Sequence, residues 1–207
     1  MNQMTRRALG LAGLALLLAT AASYAQQPPP VRVRGTVEAF DGTVLTVKSR
    51  DGQTMYKIKP TANVAVRGIV KASLSDIKPN SFIGVTGMPQ ADGSQKAVEI
   101  HIFPEPMRGT GEGHRPWDLM PNSTMTNATV EQMVKGVSGE EITLKYKDGE
   151  KKIHVTPETV IVTYVPGSKD ELKPGAKIFI AAAQKKDDGT LEAAAISIGR
   201  DGLAPPM

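Results

Sequence analysis

The two halves of this chain spell one structural plan twice, and that duplication restricts the fold more than any other feature of the sequence. Leu45-Thr46-Val47 matches Ile142-Thr143-Leu144, Asp51-Gly52 matches Asp148-Gly149, and Ile58-Lys59-Pro60 matches Val155-Thr156-Pro157, all at an offset of 97. Ile77-Lys78-Pro79-Asn80 matches Leu172-Lys173-Pro174-Gly175 at 95. Asp92-Gly93 with Val98, Ile100 and Ile102 matches Asp188-Gly189 with Ala194, Ile196 and Ile198 at 96. The offset changes only between blocks, where insertions fall in loops.

Within each copy the period is that of β-strands. Val31, Val33, Gly35, Val37 and Ala39 alternate with Arg32, Arg34, Thr36 and Glu38, a half-buried strand. Asp41-Gly42 and Asp51-Gly52 separate this run from Thr43–Lys48 and Gln53–Lys59, and Asp-Gly between β-rich runs signals a hairpin with positive φ. Asn63–Arg67, Phe82–Thr86 and Ala97–Phe103 read as further strands, with Ser73–Asn80 as a polar connector. The expected fold is all-β. Two tandem OB-like barrels, residues 31–104 and 128–200, are joined by an irregular Gly/Pro/Met-rich linker over 105–127. A barrel of about 70 residues has a small core that is marginal alone, so the two are expected to pack together.

The N-terminus reads as an export signal. Arg6 and Arg7 precede an uncharged run from Leu9 to Ala22, and Ser23-Tyr24-Ala25 supplies small residues for cleavage after Ala25. The run is shorter than the roughly 20 residues of a spanning helix. Thr5-Arg6-Arg7 with Leu9 also has twin-arginine character, while the Leu-rich core favours the general route. The expected location is periplasmic or secreted, with no stable membrane span after cleavage. Of 25 Lys and Arg, the signal removes Arg6 and Arg7, leaving 23 against 21 acids. That near-neutral balance gives no electrostatic reason to expect nucleic acid. Phe40, Tyr56, Phe82 and Phe103, with Arg32, Arg34 and Lys57, read as core and rim of a barrel. The chain has no cysteine, which excludes disulfides, thiolate metal sites and cysteine nucleophiles.

Gly35-Thr36-Val37, the Asp51-Gly52 hairpin, the strand ending near Pro60, Leu74-x-x-Ile77-Lys78-Pro79-Asn80-Ser81-Phe82-Ile83-x-Val85-x-Gly87, and Asp92-Gly93 before Ala97-Val98-x-Ile100 form one ordered pattern. It resembles the exported bacterial family of unknown function DUF5666, whose resemblance implies small OB-like domains, often in tandem. The likeness covers 31–104 closely and 128–200 more loosely. The second copy has Ala181 where the first has a Thr-Gly step, and it lacks the opening Gly-Thr-Val. Met107 to Leu119 is similar to a segment of exported proteins often labelled metal transporter permeases. A permease needs several spanning helices, and this chain has one short apolar segment.

Candidate chemistry concentrates in the linker. Arg108, Glu112, His114, Arg115, Trp117 and Asp118 are the candidate ligand or partner residues. His114 with Met107, Met120 and Met125 is a thioether-imidazole set suited to copper, above all Cu(I). Trp117, the only tryptophan, either anchors a ligand or staples the linker between the barrels. His101 and His154 alternate with buried apolar neighbours and are expected to point outward into solvent. Gly109-x-Gly111-x-Gly113 lacks the strand-then-helix setting of a dinucleotide site. No G-x-S-x-G or H-E-x-x-H occurs. The expected function is therefore a non-enzymatic periplasmic binding or scaffolding protein for an unknown protein or small ligand. The alternatives are a copper-type accessory or an enzyme using Glu112, Asp118 and His114. N-terminal sequencing of the exported protein is expected to begin at Gln26; a mature chain retaining Arg6 and Arg7 would refute the cleavage site.

Overall fold

The computed structural model describes residues 28–136 and 139–207; the expected signal segment lies outside them. The alternating runs become strands β1 (Val31–Phe40), β2 (Leu45–Ser49), β3 (Met55–Lys71), β4 (Phe82–Pro89), β5 (Gln95–Ile102) and β6 (Gly113–Pro116). Then follow β7 (Thr124–Gly136), β8 (Gly139–Tyr146), β9 (Gly149–Val155), β10 (Val160–Pro166), β11 (Lys177–Lys185) and β12 (Leu191–Gly199). The protein is all-β, with barrel architecture. The runs Gln53–Lys59 and Asn63–Arg67, read as separate strands, are one long strand, β3. Their counterparts in the second copy stay separate as β9 and β10, because Pro157 to Thr159 forms a turn.

Two closed rings are present, and neither is built from one repeat. The first runs β12-β11-β1-β2-β3 and closes through the parallel pairing of β3 with β12. The second runs β5-β4-β7-β8-β9 and closes through the parallel pairing of β5 with β9. Each ring takes three strands from the opening of one repeat and the last two from the other. The continuous segments 31–104 and 128–200 therefore do not coincide with the barrels. The cause is β3 and its counterpart β10, which carry the chain from one ring to the other and pair antiparallel from Arg67↔Pro166 to Lys71↔Val162. Gly68 faces Val165, its own counterpart at an offset of 97, so a local pseudo-twofold axis passes through this ladder.

The cores follow the rings. Val33, Val37, Leu45, Val47 and Ile58 pack with Leu172, Ile178, Ile180, Ile196 and Ile198. Ile77, Ile83, Val85 and Ile100 pack with Ala128, Val130, Ile142, Leu144 and Ile153. A third cluster of Ile69, Val162, Phe179 and Met207, with Trp117, Tyr164 and Leu203 against it, fills the junction.

Local devices recur with the repeat. Ser73 N–H donates to Asp76 Oδ2 at 2.8 Å, and Ser168 N–H to Glu171 Oε1 at 2.9 Å, each fixing a 3-10 turn that leads into the next barrel. Asn80 and Gly175 both take positive φ, 66° and 89°. The Asp-Gly turns differ from the type I′ expectation. Gly42, Gly52, Gly93 and Gly189 have positive φ while the preceding aspartates do not. Instead Asp41, Asp51, Asp92 and Asp188 each accept the backbone N–H two residues on, an Asx turn.

The segment 105–127 is not irregular throughout. Glu105–Met107 is a 3-10 turn, and β6 pairs with the first residues of β7, which satisfies their backbone groups. Because each barrel needs strands from both repeats, a chain cut between Thr110 and Glu112 is expected to elute as one species in gel filtration. Each fragment alone is expected to be unfolded by circular dichroism; two independently folded fragments would refute the exchange.

Candidate functional site

Strand alternation sends one face of each barrel wall to its core and the other outward, but at the junction outward does not mean solvent. Arg32 and Arg34 alternate with Val33 on β1; Glu99 and His101 alternate with Ile100 on β5. Both outward faces are covered by the opposite barrel, β10 and the 105–127 segment. Between them lies a cavity of about 320 Å³, at the lower end of the usual range for small-ligand sites. Its walls include Arg32, Arg67, Arg115, Trp117, Asn127 and Tyr164. Exposed Thr110 and Gly111 stand among the lining residues and mark its outer side.

Divergence between the repeats creates the space. On β4 and β5, Thr86 faces Glu99, and the Thr86 hydroxyl donates to the carboxylate at 2.8 Å. The counterparts in the second copy are Ala181 and Ala195, and both line the cavity. Gly84 faces His101, and a Cβ on Gly84 would overlap the imidazole. On the other barrel Phe179 faces Ser197, so large and small have changed strands.

His101 corrects the expectation from alternation. It is 3 % exposed, and Glu99 is fully buried. Its Nδ1 lies 3.1 Å from Glu99 Oε1. The ring meets Phe103 edge-on at 4.7 Å and Tyr164 at 5.9 Å, while Phe103 and Tyr164 stack at 5.5 Å. Burial, then the Glu99 charge, push the Tyr164 phenol well above its ordinary range. His154, by contrast, stays half exposed near Glu141.

Trp117 lies edge-on to Phe179 at 6.5 Å. The Arg32 guanidinium lies 4.0 Å from its ring centroid, and those of Arg34 and Arg115 lie at 5.8 Å, close enough for cation–π attraction. Asp118 holds this group together, pairing with Arg34 at 2.8 Å and Arg32 at 3.5 Å. Burial first, then the Arg32 charge, lower the Arg115 pKa. Among the described residues, three buried side-chain atoms lack a hydrogen-bond partner: Arg32 Nε, Trp117 Nε1 and Asn127 Oδ1. All three residues line the same cavity. Asn127 is oriented by its Nδ2, which donates to Thr110 O at 2.9 Å.

The residues singled out from the linker are divided by this geometry. Arg115 and Trp117 line the cavity, and Asp118 braces its arginines. Arg108 binds Glu105 and the Asn80 carbonyl, and Glu112 accepts from Lys147 N–H, both away from it. Met107 and Met125 enter the cavity wall. His114 lies across the β6–β7 ribbon from Arg115 and Met125, with Nδ1 2.8 Å from Thr126 Oγ1. Met120 is 43 % exposed and lines a separate outer groove. The four thus split between two ribbon faces and that groove. Arg32, Arg67, His101, Phe103, Asn127, Tyr164 and Phe179 come from outside the linker set. Their only sequence signal is a polar or aromatic residue on the outward face of a strand, which looks the same as a solvated surface.

No family model, curated protein or solved structure matches the chain.

The neutral Tyr164 is favoured in the folded state. Its contribution to stability is full below the unfolded value near 10.0 and is lost as pH rises from there through the raised folded value. Thermal melts between pH 8 and 11 are expected to fall more steeply for the native chain than for Tyr164→Phe. Parallel curves would refute a buried, neutral phenol.

Proposed function

We propose that the protein is an exported, non-enzymatic binding protein that holds a small ligand in the cavity between its barrels. One observation carries this reading: the three unpartnered buried polar atoms, two donors and one acceptor, belong to residues around a single cavity. An unmet buried hydrogen-bonding group costs about 1–3 kcal/mol, and three on residues of one cavity wall mark it as a place where a bound molecule, with small shifts of these side chains, would supply the missing partners. Export rests on the N-terminal segment alone. The aromatic walls would supply apolar contact, and the junction position would make both barrels part of the grip.

The copper-accessory alternative keeps one supporting observation, that Met107 and Met125 share this cavity with His101. Trp117 is the only tryptophan and reports on the site directly. Its emission, in the chain from Gln26 onward, is to be followed against a panel of sugars, amino acids, phenols, organic acids and Cu(I). Saturable change with at least one organic class, abolished by Ala195→Leu, is the expected result. Silence across the panel, or binding that survives filling the cavity, would remove this reading, and a response to Cu(I) alone would favour the metal.

A further inference from the structure

The charge around the cavity identifies what it is built to take. Arg32, Arg67 and Arg115 line it, and no aspartate or glutamate does. Arg34 stands behind Trp117, over Phe179 at 5.1 Å. Against these four guanidinium groups the neighbourhood holds the carboxylates of Asp118 and Glu99 and the main-chain oxygen of Met207, which accepts from Arg34 Nε at 2.8 Å. Asp118 is spent on Arg32 and Arg34, and Glu99 is turned to Thr86 and His101. Among the described residues, Arg67 makes no side-chain hydrogen bond or ion pair with another residue. Arg115 binds only the Gly111 carbonyl, at 2.7 Å. A half-buried arginine without a carboxylate partner is costly, and two lining one cavity leave positive charge there that a bound anion would neutralise.

The shape of the walls narrows the anion. Phe103 stacks on Tyr164 and Trp117 meets Phe179 edge-on, and these four rings line the cavity together with Met107, Met125 and Met207. Such walls suit a flat apolar body rather than a bare inorganic ion. About 320 Å³ is the room of roughly ten waters at ~30 Å³ each, enough for one ring and its substituents. Asn127 Oδ1, unpartnered beside Gly84 in the cavity wall, would accept from a hydroxyl or N–H on that body after a small rotation of its side chain.

We propose that the ligand is a small aromatic carboxylate bearing a hydroxyl, its carboxylate on an arginine of the cavity wall without a carboxylate partner, Arg67 first, and its ring against the aromatic side chains. The inference rests on the cavity reading and deepens it. The guanidinium fork matches the two oxygens of a carboxylate. Arg32 is already stacked on Trp117 and braced by Asp118, so the site needs little ordering on binding.

The test is calorimetric titration of the chain from Gln26 onward with the three hydroxybenzoate isomers, the corresponding hydroxybenzamides, benzoate and inorganic phosphate. At least one hydroxybenzoate is expected to bind one per chain. Its neutral amide is expected to bind at least tenfold more weakly, and benzoate severalfold more weakly. Arg67→Met is expected to weaken the acid about tenfold or more while leaving the amide unchanged, the size of a charge-assisted hydrogen bond. Ala195→Leu keeps all the arginines and is expected to abolish binding while retaining the fold. Equal affinity for acid and amide would overturn the anion assignment and leave the cavity as a site. Phosphate binding as tightly as the acid would overturn the aromatic body. Acid binding undiminished by Ala195→Leu would overturn the cavity itself, and with it the proposed function. Failure of every acid, with a neutral phenol or sugar still binding, would overturn this proposal alone.

Discussion

Five residue pairs between Arg67–Lys71 and Val162–Pro166 hold the molecule in its particular arrangement. This ladder lies where β3 and β10 pass from one barrel to the other, so its hydrogen bonds join the two rings into one sheet. The parallel contacts β3–β12 and β5–β10 flank it. Parallel neighbours so distant in sequence carry a large loop-closure cost. Both barrels are therefore coupled to one event, the meeting of the two repeats. Small barrels with few aromatics in their cores gain from that coupling, because neither has to stand on its own apolar burial.

The same arrangement places function where a tandem layout would not. In two separate barrels the outward faces of β1 and β5 would be wet, and Arg32, Arg34, Glu99 and His101 would be ordinary surface residues. Once the barrels share a sheet, those faces look at each other across a closed space. Polar side chains there must find partners or wait for one. Glu99, Thr86 and His101 satisfy one another on one side. On the other, Asp118 serves Arg32 and Arg34, and Arg67, Arg115 and Trp117 line the cavity without a carboxylate of their own.

Much of the local structure was legible. Alternation located most strands, Asp-Gly marked five turns, and the repeat predicted matching connectors, which the Ser73–Asp76 and Ser168–Glu171 contacts bear out in detail. Trp117 and Arg115, set apart from a segment with no period, line the cavity. What alternation could not convey is which strand closes which ring. Ile77 and Leu172 look alike in their two connectors, yet each packs in a core that opens with the other repeat's strands. The buried state of His101 follows from that long-range pairing, so its environment was hidden for the same reason. The proposed copper set failed to converge because β6 splits His114 from Met125 by the strand alternation that was used elsewhere as a guide.

The pseudo-twofold axis near Gly68 has a last consequence, for orientation. A site on a true twofold, as two identical chains would make, offers any asymmetric molecule two equivalent ways to lie, one the reverse of the other. Here the equivalence is broken at each wall: Arg34 on β1 stands where β7 has Asn127, Phe179 where β4 has Gly84, and Ser197 where β5 has His101. Joining the halves in one chain let each side of the axis change alone. The two reversed poses then differ in charge and in shape, and a bound molecule has a head end and a tail end defined by the protein.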